Sequence, residues 1–290
     1  MSVRLAEICD ALGRLAPLRL AEEWDNVGLL LGDRSAHTDR VMTCLTLSPD
    51  VAAEAIEQRA GLVVTHHPIP FRPLAKLTTD SITGTVIWRL ARAGIAVYSA
   101  HTAMDSAACG INQRWADSLG LTSIAPLRPF ADQSESDSES KSDGESRTDS
   151  GSRTDGKTGI GAGRYGRIDA GITLQELAVA AGKIAGVKSA RWVGSGDKTC
   201  RKIAVACGSG GSFLAASRRC GCDVLVTGEA TFHACLEARS EEIGLILVGH
   251  YGSERFAMEH LAEHLSEQFA GLDVWASRCE CDPLVSVSFG

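Results

Sequence analysis

Two adjacent imidazoles, His66 and His67, close the apolar run Gly61-Leu62-Val63-Val64-Thr65 and are followed by Pro68. Such a run reads as a buried strand, and in open α/β sheets ligands bind beyond the carboxyl ends of strands. Neighbours on an extended chain point to opposite sides, so the pair suits two different metals, or one metal and a substrate. Pro68 removes a backbone donor and helps to hold the bend. The pattern recurs at His101-Thr102-Ala103-Met104-Asp105 and at Gly249-His250-Tyr251-Gly252-Ser253-Glu254, each behind an apolar run. Asp105 has a competing role as the cap of a helix starting near Ala107, and Glu254 as a helix-start carboxylate. Glu254 follows His250 by four residues, which stacks the two on one face if a helix begins at the turn. Together His66, His67, Asp105, His250 and Glu254 make an oxygen–nitrogen ligand set fit for Zn, Mn or Fe. Five side chains exceed what one catalytic zinc needs. They suit two divalent ions about 3.5–4 Å apart, bridged by one carboxylate and sharing an activated water.

The elements that must position these residues alternate along the chain. Strands are expected at 41–47, 62–65 and 95–100, with helices at 49–60, 81–93 and 111–119, behind an amphipathic N-terminal helix within 1–18. The rhythm resumes with helices at 174–185, 213–219, 232–239 and 254–268, and strands at 203–206, 223–227 and 245–248. Short connections between alternating strands and helices imply right-handed crossovers and a mostly parallel or mixed sheet in each half. The expected fold class is therefore α/β, with two similar lobes at 1–130 and 159–290. The C-terminal segment is a candidate to return to the first lobe. Between the lobes, residues 132–158 contain no member of the hydrophobic set and carry −4 of the formal −7 charge. They cannot bury enough apolar surface to offset the entropy of ordering, so 131–158 reads as a disordered polar linker.

Charge and hydropathy exclude whole classes. A net charge of −7 argues against nucleic-acid binding by bulk charge. No apolar run approaches the roughly 20 residues that cross a bilayer. The N-terminus lacks the pattern of a signal peptide, which points to a cytoplasmic protein whose ten cysteines are reduced thiols. Cys220-Gly221-Cys222 and Cys279-Glu280-Cys281 imitate a four-thiolate site, at a spacing tighter than zinc sites use. Gly208-Ser209-Gly210-Gly211 is either a phosphate cradle or a tight turn, and the full dinucleotide fingerprint is missing. Asp25, in Trp24-Asp25-Asn26, reads as a turn cap, and Lys76 as a solvated lysine.

The ordered set of motifs resembles the Nif-three-like dinuclear metal proteins, a family also called type 2 GTP cyclohydrolase I. It comprises Glu23-Trp24-Asp25-Asn26-Val27-Gly28-Leu29, Thr65-His66-His67-Pro68, His101 to Asp105, Gly163-Arg164-Tyr165-Gly166, Cys207 to Gly211, Thr227-Gly228-Glu229 and Gly249 to Glu254. The resemblance implies a metal pair held by the five residues above, with Glu254 as the bridge. It also implies two α/β lobes with the site between them, and a ring-shaped homohexamer whose sites face an internal cavity. Where some members carry an inserted domain, this chain has only the polar stretch. Where members show two histidines near Thr-Gly-Glu, it has Phe232-His233.

The reading that follows is a dinuclear metal-dependent hydrolase acting on a small molecule. By resemblance the candidate is GTP, whose purine ring would open with release of formate, and His101 or His233 would move protons. The alternative is a non-catalytic metal-binding or regulatory interaction protein. Because residues 132–158 cannot join a core, a short Gly-Ser replacement is expected to leave melting temperature and oligomeric state unchanged. A loss of more than a few degrees, measured by calorimetry, would make the stretch structural.

Overall fold

The computed structural model describes residues 2–130, 159–285 and 287, and the expected linker lies outside the described residues. The first half runs β1 (Val3–Arg4), α1 (Leu5–Leu15), β2 (Gly28–Leu31), β3 (His37–Thr38), β4 (Arg40–Cys44), α2 (Pro49–Glu57) and β5 (Leu62–Thr65). It continues through α3 (Ile82–Arg92), β6 (Ala96–Ser99), α4 (His101–Ser106), α5 (Ile111–Ser118), β7 (Thr122–Ala125) and β8 (Arg128–Pro129). The second half runs β9 (Gly161–Ala162), β10 (Arg164–Thr173), α6 (Leu174–Ile184), β11 (Arg191–Val193), β12 (Thr199–Ala206), α7 (Leu214–Arg219) and β13 (Val224–Thr227). It ends with α8 (Phe232–Ser240), β14 (Gly244–Leu247), α9 (His250–Glu254), α10 (Phe256–Gln268) and β15 (Asp273–Ala276).

Two sheets result. The first has the order β15-β4-β5-β6-β2, parallel except for β2. The second has the order β11-β14-β13-β12-β10-β7, with β12, β13 and β14 parallel and antiparallel strands outside them. The chain is thus a mixed α/β protein of two lobes, and each lobe borrows an edge strand from the other half of the sequence. β15 lies beside β4, and β7 lies beside β10.

Strand periodicity sorts side chains into layers. Val41, Leu62, Val64 and Tyr98 enter a central core shared with Ile203, Val226 and Ile246 of the second sheet. Helices α1, α5 and α10 fill that core with Leu12, Trp115 and Leu261. Met42, Val63 and Val97 face the opposite way, into a layer with Leu90 of α3 and Ala52 of α2. On the outer face of the second sheet, Leu225 and Leu245 pack with Leu214 and Ala238. Capping sets the helix starts: Ser48, Ser81 and Thr231 accept backbone N–H bonds, and Thr173 and Glu176 form a capping box. Among the described residues no helix is long and apolar enough to cross a membrane.

One local expectation changes. Asp105 does not cap a helix near Ala107, because it lies in the last turn of α4, and the next helix is capped at Gly110. The helix expected at 254–268 is α10 at Phe256–Gln268, and the turn before it is also helical: Gly249 at φ +85° leads the chain from β14 into the short α9, His250–Glu254.

Arg164 fastens the two halves where the second begins. Its side chain is fully buried and donates to the carbonyls of Ala107, Gly159, Gly161 and Gly163 and to Gln113 Oε1. Arg164→Met removes all of these donors at once and is expected to cost about 3 kcal/mol. Urea unfolding measures the loss, and a change below 1 kcal/mol would mean that the carbonyls find other partners.

Candidate metal centre

The carboxyl ends of both sheets point into one region. His66 and His67 follow β5, and α4 begins with His101 directly after β6. Gly208 follows β12, Glu229 follows β13, and His250 opens α9 just after β14. Ser99 Oγ donates to the His66 carbonyl at 2.6 Å, and the His67 N–H donates to the Leu45 carbonyl at 2.8 Å, which anchors the pair to both neighbouring strands. Trp115 Nε1 donates to the Ser253 carbonyl at 2.7 Å, tying α5 to α9.

The five expected ligands converge, and Glu254 is at their centre with 4% of its side chain exposed. Its Oε1 lies 3.9 Å from His66 Nε2, while its Oε2 lies 3.2 Å from His67 Nε2 and 3.1 Å from His250 Nε2. Asp105 Oδ1 lies 3.6 Å from His66 Nε2, and the Cys207 thiol donates to that same oxygen at 3.3 Å. Adjacent imidazoles were expected to diverge, yet the rings of His66 and His67 both face the cluster with centroids 5.1 Å apart. Two sets of possible ligand atoms lie within 4.8 Å of one another: His66, His67 and His101, and His67, His250 and Glu254. These histidine and glutamate groups could hold a metal ion.

Two observations test whether the residues fit a cation. His66 is buried, and among the described residues neither of its ring nitrogens has a hydrogen-bond partner. Burial holds its pKa down to about 3, so the ring stays neutral with a free lone pair, the form that ligates a metal. Gly208, at φ +60°, supplies a bare backbone wall: a Cβ there would stand 2.3 Å from Glu254 Oε1. The donors are nitrogen and carboxylate oxygen, and of these, among the described residues, the His66 ring is left without a hydrogen-bond partner. The fit is good.

Electrostatics splits the two carboxylates. Burial, and then the nearby Glu254 charge, push the Asp105 carboxyl up. Burial would also raise Glu254, but bonds from His250 and His67 hold it well below the usual carboxylate range. Hydrogen bonding to Glu254 lifts His250 to about 9 against its partial burial, with Glu229 adding to the rise from its place 3.2 Å from His250 Nδ1.

His101 stands beside the cluster, 5.2 Å ring to ring from His66. Its Nδ1 lies 2.7 Å from Asp25 Oδ1, and Asp25 Oδ2 accepts from the Thr102 N–H and hydroxyl. Burial would raise the Asp25 carboxyl, yet the bonds from His101 and Thr102 outweigh it and hold it at about 2. Asp25 is therefore no mere turn cap: its side chain is wholly enclosed and orients an imidazole whose Nε2 is left to face the cluster. The signal available in the sequence was only its place in Glu23-Trp24-Asp25-Asn26. His233 lies elsewhere, exposed on α8, against a neighbouring cavity that shares Ser209 and Ser212 with the main one.

The main cavity has a volume of about 690 Å³ and is lined by His67, His101, Asp105, His250 and Glu254 among others. Trp24 (60% exposed) and Phe71 (49%) stand on its lining with ring centroids 5.8 Å apart. Arg128, stacked 4.2 Å over Phe213, also lines it. The Gly208–Gly211 loop packs tightly, since a Cβ at Gly210 would stand 2.5 Å from Thr227 Oγ1. Lys76 is exposed, and the two ligand groups above contain no cysteine.

Fold and site together define a two-lobed α/β protein with a buried histidine–carboxylate cluster between its sheets. The chain belongs to the Duf34/NIF3 (NGG1p interacting factor 3) family, whose description matches residues 3–283. It is 34% identical to the GTP cyclohydrolase 1 type 2 homolog of Clostridium acetobutylicum, over 88% of this chain and 86% of that one. Identity to the protein of the same name from Clostridium perfringens is 30%, over 92% of each. Among solved structures, a Staphylococcus aureus hypothetical protein superposes with a TM-score of 0.82 at 26% identity, over 98% of this chain and 99% of that one. The Bacillus cereus protein related to NIF3 gives the same TM-score at 24% identity and the same coverage, which shows the fold.

The Asp25 carboxyl, held at about 2 against an ordinary 3.8, adds stability above pH ~4 that is lost as the pH falls toward 2. Asp25→Asn is therefore expected to destabilise the protein at pH 7, with the gap to the parent narrowing between pH ~4 and ~2. Urea unfolding across that range measures it, and a gap independent of pH would mean that the carboxylate charge is not what His101 and Thr102 hold.

Proposed function

We propose that this protein is a hydrolase that works through two divalent metal ions, Zn, Mn or Fe. The ions would be held by His66, His67, Asp105, His250 and Glu254. The observation that carries the reading is the division of the Glu254 carboxylate: Oε1 faces His66, while Oε2 faces His67 and His250. A carboxylate so placed, with the histidines around it, would hold two ions and offset the repulsion between close dications. When bound, the ions would supply Lewis-acid polarisation and neutralise charge that develops in the reaction.

The chain's own groups then have distinct tasks. His101, oriented through Nδ1 by Asp25, holds or moves a proton at Nε2. Trp24 and Phe71 offer flat apolar faces beside His101, suited to stacking a heteroaromatic ring, and Arg128 offers a cation to an anionic group. This combination favours a nucleotide-like small molecule. The names of the two Clostridium relatives make GTP, opened at its purine ring with loss of formate, the first substrate to try. His233, in the adjoining cavity, is the second candidate for proton transfer. The homohexamer and the cytoplasmic location are part of the same proposal. A second reading, a metal-binding interaction protein without turnover, draws on the family description, which speaks of an interacting factor.

Glu254→Gln tests the proposal, because an amide of the same shape is neutral and donates on one side. At least one metal equivalent per subunit should be lost after identical loading and desalting, along with hydrolysis of GTP, while the circular dichroism spectrum stays that of the parent. His250→Ala should weaken mainly one ion. Retention of full metal content by Glu254→Gln would remove the bridge. A metal-loaded parent protein inert toward nucleotides and phosphoesters would favour the second reading.

A further inference from the structure

We propose that Glu280, near the far end of the chain, is the positioning residue for His67. The imidazole of His67 is held at both nitrogens: its Nδ1 lies 2.7 Å from Thr46 Oγ1, and its Nε2 is directed at Glu254 Oε2, 3.2 Å away. Its backbone rests on the same turn, through the bond from the His67 N–H to the Leu45 carbonyl. That turn follows β4 and is held by a carboxylate from the segment after β15. Glu280 Oε2 accepts the Leu45 N–H at 2.9 Å, and Oε1 accepts the Thr46 N–H at 2.6 Å.

The same carboxylate reaches the opposite lobe's ligands. Glu280 Oε2 lies 2.9 Å from Nε of Arg255, the residue that follows Glu254, and the Glu280 carbonyl accepts from the Tyr251 hydroxyl at 3.0 Å. Arg255 also donates to the Ser277 carbonyl at 2.8 Å. The segment that presents Glu280 is itself pinned. Glu54 of α2 accepts from the N–H groups of Arg278 and Cys279, the Ser277 hydroxyl and Trp275 Nε1. One anion, with 5% of its side chain exposed, thus sits between the turn that aims His67 and the residue that follows α9, the helix that carries both His250 and Glu254.

The chemistry requires a carboxylate there. Two backbone N–H groups need an acceptor, one at each oxygen, the Arg255 guanidinium adds a positive charge beside Oε2, and an amide would turn an NH₂ group against a donor. Partners of metal ligands of this kind typically change affinity by about 10–100-fold. The effect should fall on the ion served by His67, because Glu280 acts through Thr46 and Leu45. This rests on the two-ion reading above.

The test uses the full chain, freed of metal and titrated with Zn²⁺ alone. Glu280→Gln and Thr46→Val should each weaken one of two zinc equivalents by about tenfold or more and leave the other at the parent affinity. Thr46→Ser, which keeps the hydroxyl, should behave as the parent. In the metal-free state, nitrogen NMR of the His67 ring, assigned by its loss in His67→Gln, should show the Nδ1 hydrogen bond weakened in Glu280→Gln and Thr46→Val. Parent-like binding of both zinc ions by Glu280→Gln, equal weakening of both, or an unchanged His67 ring signal would overturn the proposal. If the parent itself binds fewer than two zinc ions, the two-ion reading fails, and the His67 signal in the metal-free protein still decides the role of Glu280.

Discussion

The Glu254 carboxylate is carried into the seam between two sheets, where 4% of its side chain meets solvent, and an anion so enclosed is costly unless it is surrounded by compensating charge or donors. Much of the structure can be understood as meeting that demand. Gly249 turns β14 into α9 without a loop, so that His250 and Glu254 are presented one helical turn apart. The backbone of Gly208 closes the other side, with its N–H donated to Ser253 Oγ at 2.8 Å, and Ser253 in turn bonds the His250 carbonyl. Trp115, from the first half of the sequence, clamps the same helix. The short helix α9 is therefore gripped from both lobes.

Compensation by the protein alone is incomplete, and the imbalance has a direction. His66 is kept neutral by burial, so of the rings around Glu254 it gives a lone pair and no charge. Asp105 and Glu254 share a buried space and respond oppositely, one carboxyl raised and the other lowered, as like charges in a common site must. A cation held there would let both carboxylates and the neutral imidazole be satisfied together. The same reasoning explains why Asp25 stands apart from the cluster. Its charge is fully answered by His101 and Thr102, and so it orients a ring without competing for the ion.

What could be read from the sequence follows from where the apolar runs are. β5, β13 and β14 are buried on both faces and stand out as short runs of Val, Leu and Ile, β4 and β6 as buried runs of mixed apolar and small residues, and the histidines that follow β5, β6 and β14 are legible with them. The edge strands β7, β11 and β15, and β10 beside β7, mix exposed with half-buried or buried positions, and no sustained apolar run marks them. Their partners lie far away in sequence, and pairing of that kind leaves no local trace. Asp25 and Glu280 were hidden for the same reason. Each earns its role through a contact made across the fold, with His101 76 positions later and with Thr46 234 positions earlier. Asp105 was visible as a carboxylate near a histidine, but its rival reading as a cap could be set aside only once α4 was seen to start at His101.

A separate pair of short strands brackets the polar stretch and holds its two ends. β8 and β9 flank that stretch and pair antiparallel, Arg128 opposite Ala162 and Pro129 opposite Gly161, so the two ends of the excursion are fixed side by side. Closing a loop whose ends are already held costs little more as the loop lengthens, by about 0.6 kcal/mol for each doubling. Arg164 secures the re-entry point through Gly159, Gly161 and Gly163, independently of what lies between. Yet the junction is not remote from the chemistry. Arg128, Ala162 and Gly163 line the cavity that holds the histidine–carboxylate cluster. The polar stretch therefore leaves and rejoins the described residues at the wall of that cavity.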